Sequence, residues 1–231
     1  MRHKIIQAAT AALLAGLMPA AHAIPTLSFS IDGSPMVTCA DGAACDTNAG
    51  AGIVSFSQSL GDFTFNVTTG LSKPILTGGA PLIDLNTVNV QMSGAPHTLQ
   101  IGFSDTDFDI YNGRITTDYG GTLNGIGASM DYSAYYDAGN TLFGQGSLIG
   151  GGSSGSGAYS GSADGGWSPS AAYSVTEILT LTTGGGMTVF SGDFSVNVPE
   201  PGTLALVGLA LLGFAVAYRR RVPARASASR P

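Results

Sequence analysis

The densest group of hard oxygen ligands in the chain is Asp105-Thr106-Asp107-Phe108-Asp109. In an extended strand, side chains at i, i+2 and i+4 share a face, and clustered carboxylate oxygens are what Ca²⁺ takes. An EF-hand loop starting at Asp105 needs Gly at position 110 and Glu at 116, where this chain has Ile110 and Thr116. The spacing therefore allows a Ca²⁺ site of another kind on Asp105, Asp107 and Asp109, beside the plainer reading of a charged edge that discourages strand pairing. Gly151-Gly152-Ser153-Ser154-Gly155 matches the G-x-S-x-G nucleophile elbow, which needs a preceding strand, a following helix and a later histidine. Here it sits in Gly/Ser-rich sequence, and no histidine follows it. His97, after Pro96 at a strand start, reads as a solvated turn residue. These residues supply no triad and no cofactor motif, so the expectation is a protein that is not an enzyme.

Cys39 and Cys45 are the two cysteines. Their spacing is neither C-x-x-C nor half of a zinc site, and the pair is expected to close a disulfide in an exported chain. Other candidate contacts are aromatic. Tyr132, Tyr135, Tyr136, Tyr159 and Trp167 could stack on sugars, whereas Phe63 and Phe65 read as core. Thr180-Leu181-Thr182 is a fragment of the kind of threonine array that meets ice, without a repeat of fixed period.

Charge narrows the partners. Of nine basic residues in 231, seven lie within the first four or last thirteen positions, leaving two between Ile24 and Val198 against fourteen acidic ones. Nucleic-acid binding needs clustered Lys and Arg to displace counterions from phosphates, so it is excluded.

The ends read as addresses. Arg2 and Lys4 precede an apolar stretch from Ile5 to Met18, and Ala21-His22-Ala23 supplies a small-x-small site for signal peptidase. Residues 1–23 are thus expected to be a signal peptide. Near the other end, Pro199-Glu200-Pro201 precedes a fifteen-residue apolar run, Leu204 to Tyr218, and then Arg219-Arg220-Arg221. Fifteen helical residues reach about 22 Å against a hydrocarbon core of about 30 Å, a marginal span that flanking residues can extend. The arginines hold their end on the cytoplasmic side.

Pro199, Glu200 and Pro201, the Leu204–Gly213 segment and the arginine cluster together resemble a PEP-CTERM sorting signal. The resemblance implies export in a Gram-negative bacterium that makes exopolysaccharide. It also implies recognition by exosortase, a membrane-embedded cysteine protease of transpeptidase type. The chain would be membrane-anchored until it is processed, then released or displayed at the surface. Cys39 to Asn48, Leu71 to Pro74 and Asp84 to Val90 also resemble an ectodomain type recurring on proteins with this signal, one that implies no catalysis.

Between the addresses, period-2 patterns bounded by Gly, Asn, Asp and Pro predict strands at Thr26–Ile31, Gly52–Ser57, Asp62–Thr68, Asp84–Gln91, Thr98–Ser104, Thr122–Tyr136 with a break, Thr141–Leu148, Tyr173–Thr182 and Met187–Val198. Eight glycines in seventeen residues predict a long loop at Gly150–Gly166. The organisation expected is a signal peptide (1–23), an all-β antiparallel sandwich of jelly-roll type (24–198), a sorting signal with one short transmembrane helix (199–221) and a cytoplasmic tail (222–231). The function expected is a non-enzymatic surface protein in the extracellular polysaccharide matrix. The alternatives are a hydrolase of that matrix, or an ice-binding protein sharing the tail.

Overall fold

The computed structural model describes residues 23–76, 81–108, 113–167 and 169–198. The leader with Ala21, Asp109, the Trp167 side chain and everything from Pro199 onward lie outside the described residues. Thirteen strands follow one another, with no helix among the described residues: β1 (Thr26–Ile31), β2 (Val37–Ala40), β3 (Ile53–Phe56), β4 (Ser59–Leu60), β5 (Phe63–Leu71), β6 (Ile83–Met92), β7 (Thr98–Phe108), β8 (Gly113–Asn124), β9 (Ser129–Asp137), β10 (Ser147–Gly155), β11 (Gly157–Trp167), β12 (Tyr173–Thr182) and β13 (Thr188–Asn197).

They form two antiparallel sheets. The first runs β10-β9-β12-β7-β1-β2; the second runs β11-β8-β13-β6-β5-β3, with β4 paired to β5. From β6 to β13 the chain crosses between sheets at each step except β9 to β10, giving β6-β13-β8-β11 in one sheet and β7-β12-β9-β10 in the other. That alternation is the jelly roll. β1-β2 extends one sheet beside β7, and β5-β3 extends the other beside β6.

Alternation makes the core. Along β5, Phe63 and Phe65 are buried while Thr64 and Asn66, which alternate with them, are exposed, because successive side chains point to opposite faces. Phe29 of β1 meets Phe56 and Phe65 of the facing sheet with ring centroids 4.3 and 5.0 Å apart. Towards the far side of the sandwich, Tyr132 of β9 lies 4.9 Å from Phe194 of β13. Such tilted and edge-on pairs add about 0.5–1.5 kcal/mol each beyond the area they bury.

The Gly150–Gly166 segment is not a loop. It is the pair of edge strands β10 and β11, joined by a tight turn at Ser156. Here the sheets approach until side chains no longer fit between them. A Cβ at Gly165 would lie 2.6 Å from the Ile149 carbonyl oxygen, and one at Gly150 would lie 2.7 Å from Ala163 Cβ. Glycine serves closeness rather than mobility. The Thr141–Leu148 stretch is likewise mostly turn; only Ser147 and Leu148 belong to a strand.

Candidate functional site

β13 carries the chain towards the sorting segment. Val196 is buried, and its carbonyl accepts from Leu82 N at 2.7 Å. Asn197 Nδ2 donates to Asp118 Oδ2 at 2.8 Å and to Ser195 Oγ at 2.9 Å. Val198 is 3 % exposed. The sandwich therefore grips the backbone up to the residue before Pro199. Thr26, Tyr173 and Asn197 lie at the same end, since Thr26 pairs with Ser104, Tyr173 with Phe108 and Asn197 with Thr116. The turns holding Asp32, Asp62, His97, Ile126 and Met187 lie at the opposite end.

Asp105 and Asp107 on β7 do not converge, and Asp109 lies outside the described residues. The register of β7 on β12 shifts between Tyr173 and Val175, and Asp107 adopts φ 57°. This bulge breaks the alternation that would align Asp105 with Asp107. Asp105 is fully buried, accepting from Ser72 Oγ at 2.6 Å and Lys73 Nζ at 3.0 Å. Lys73 also donates to the Thr106 carbonyl and sits 4.2 Å from the centroid of the Phe108 ring. Asp107 turns outward to Asn140, whose Nδ2 donates to Asp107 Oδ1 at 2.6 Å. Among the described residues no three His, Cys, Asp or Glu side chains are grouped for a metal. The reading as a charged edge fails too, because β7 is an interior strand between β1 and β12.

His97 is a bridge rather than a solvated turn residue. Its Nδ1 lies 2.6 Å from Asp32 Oδ2, on the turn after β1, and its Nε2 lies 3.1 Å from Asp62 Oδ2, on the β4–β5 turn of the other sheet. The hydrogen bond with Asp32 raises the imidazole pKa above its ordinary value. Asp32 is held below the usual carboxylate range, first by the Thr98 backbone N–H and then by His97.

A second acid is hidden in the core. Glu177 of β12 points between the sheets, fully buried, and Oε1 accepts from Tyr132 OH at 2.7 Å. Its Oε2 has no partner. Burial pushes the carboxyl pKa well above its usual range, against the lowering effect of the Tyr132 hydrogen bond. Sequence alternation places Glu177 on the inner face, but nothing local names Tyr132, 45 positions away, as its partner.

The outer face of the second sheet is polar and built from short side chains. One register row crosses all six strands through Ser55, Thr69, Asn86, Asp193, Gly120 and Ser160. The next holds Asp84, Ser195, Asp118 and Ser162. Partial burial, with Asp193 nearby, raises the Asp84 pKa to about 6. The lone cation of this face, Arg114, is paired with Asp164.

The remaining candidates fall into place. Ser153 lies inside β10 opposite Asp131, with no helix after it, so the elbow geometry is absent. Tyr132 is 1 % exposed and packs in the core, unavailable for stacking on a sugar, whereas Tyr135, Tyr136 and Tyr159 are half-buried. Phe63 and Phe65 are core, as expected. Thr180 and Thr182 face outward on β12. Cys39 and Cys45 form the expected disulfide, with Cα atoms 5.8 Å apart.

No curated protein matches the chain. Among solved structures, it is similar to TmCBM61 in complex with β-1,4-galactotriose, at 6 % identity and a TM-score of 0.35, covering 63 % of this chain and 86 % of that one. It is similar to the CBM22-1–GH10 modules of a Clostridium thermocellum endo-1,4-β-D-xylanase with xylohexaose, at 14 % identity and a TM-score of 0.32, covering 68 % and 26 %. It also resembles an adhesin domain of Lys-gingipain from Porphyromonas gingivalis, at 11 % identity and a TM-score of 0.31, covering 75 % and 91 %. Residues 197–221 match the family of the PEP-CTERM protein-sorting motif, and these contain Pro199, Glu200, Pro201 and Arg219-Arg220-Arg221. The chain thus carries a PEP-CTERM protein-sorting motif at residues 197–221, starting at the last residue of β13 of an antiparallel β-sandwich.

Proposed function

We propose that this is a non-enzymatic surface protein, exported by an N-terminal signal peptide cut after Ala23, sorted by exosortase at Pro199-Glu200-Pro201, and held in the extracellular polysaccharide of a Gram-negative bacterium. The observation that carries the reading is the sorting motif at residues 197–221, which begins where β13 ends. In this reading Leu204 to Tyr218 is a transient membrane anchor, and Arg219-Arg220-Arg221 keep residues 222–231 on the cytoplasmic side. A cell-fractionation experiment tests it. Glu200→Ala, or replacement of the three arginines by serine, leaves full-length chain in the inner membrane, while wild type leaves that fraction. Equal surface yield from all three overturns the sorting role of these residues.

The polysaccharide contact is assigned to the outer face of the second sheet. Asn86, Asp193, Asp118 and Ser162 present short hydrogen-bonding groups there at strand spacings of about 4.8 Å. Such a face offers donors and acceptors to hydroxyl-rich polymers and repels polyanions. Co-sedimentation with isolated extracellular polysaccharide should fall about three- to tenfold in Asp118→Ala or Asp193→Ala, the effect of one lost hydrogen bond. Unchanged binding places the contact elsewhere.

A further inference from the structure

Four strands end the two sheets, and they are not equally protected. β2 and β3 are four residues each, and short edges offer little template for another chain. The edges on the other side are long: β10 has nine residues and β11 eleven. Among the described residues, β10 pairs with β9 alone and β11 with β8 alone. β10 contains no charged residue and no proline, so it lacks the devices that keep edge strands apart. Its single irregularity, a register shift between Leu148 and Gly150, lies at its start and leaves Gly151 to Gly155 in regular register on β9. That stretch, Gly-Gly-Ser-Ser-Gly, has no side chain bulky enough to hold an incoming backbone away.

We propose that β10 is a self-association edge, at which a second copy of this chain adds its own β10 antiparallel and continues the first sheet across a two-fold axis. The chemistry of the edge selects an extended peptide, because an open ladder supplies N–H and C=O groups alternating along the strand. The sequence selects a second copy. With the axis at Ser153, Gly151 faces Gly155 of the second copy and Gly152 faces its Ser154, so every facing pair is small and uncharged. A two-fold contact of this kind closes on itself and makes a dimer rather than a fibre. β11 has an acidic residue near its end, Asp164, and is the less suited of the two.

The test uses the full chain, with both native cysteines already joined to each other. Sedimentation of the wild type over a hundredfold concentration range should show a dimer. Ser153 is exposed on the outer face, so charge is tolerated there in the monomer. Ser153→Lys and Ser153→Glu should each shift the midpoint of association at least tenfold, and mixing the two variants should restore it. Ser153→Cys should form a reducible covalent dimer, while Ser162→Cys on β11 associates like the wild type but forms no covalent dimer. The proposal is overturned by a wild type that remains monomeric throughout. It is equally overturned by dimers that ignore charge at Ser153 while the Cys39–Cys45 bond stays intact by mass, or by Ser153→Cys chains that cross-link to a different protein in place of their own copy.

Discussion

His97 ties the turn after β1 to the turn before β5 through two aspartates, one in each sheet. Its folded pKa is raised, so its contribution is complete below the ordinary value of 6.5 and fades as pH rises through the folded value. Asp32 is lowered, so its share is present above 3.8 and is lost as pH falls through its own folded value. Thermal stability should thus be flat between about pH 4 and 6.5 as far as this cluster is concerned, and decline above. Histidine titration by NMR should give a midpoint above 6.5, falling in Asp32→Asn because the largest raising contact is lost; an unshifted wild-type midpoint contradicts the bridge. Asp105 makes a different demand. Its removal leaves the Lys73 ammonium half-buried without a counter-charge, and Asp105→Ala should cost about 3 kcal/mol in urea unfolding, partly recovered by Lys73→Met. A loss below about 1 kcal/mol would show that the pair is dispensable. Neither cluster was legible in the sequence. His97 finds its partners 65 and 35 positions away, and the alternation that grouped Asp105 with Asp107 is broken by a bulge set by the opposite strand.

Strands were legible where alternation was strong. Thr26–Ile31 and Tyr173–Thr182 are β1 and β12 to the residue, and the strands around Phe63, Leu85 and Phe194 differ by a few positions at their ends. The glycine-rich pair β10–β11 was not, because local sequence cannot tell a glycine chosen for flexibility from one chosen for closeness. Two substitutions separate these. Gly165→Ala drives a methyl group against the Ile149 backbone and should destabilise by about 1–3 kcal/mol. Gly166→Ala meets nothing within 4 Å and should be neutral or slightly stabilising. Equal effects by chemical denaturation would mean that the two sheets do not meet there. At the other edge, Cys39→Ser opens a six-residue link and should cost about 2 kcal/mol, read as a lowered melting temperature.

The molecule as a whole has a direction. The backbone leaves the sandwich at Val198, at the end that also holds the start of β1, while the turns carrying His97, Ile126 and Met187 lie at the far end. The sorting motif begins at Asn197, the last residue of β13, and the proposed function makes the tail after it a transient anchor. Whether that tail survives at the surface is the question on which the account of sorting rests. C-terminal peptide mapping by mass spectrometry of cell-surface protein answers it. The account predicts a chain ending near Pro199-Glu200-Pro201, with peptides covering Leu204 to Arg219 absent from the surface fraction and present in the Glu200→Ala variant. Recovery of those peptides intact from wild-type surface protein would make the tail a permanent anchor and contradict the account.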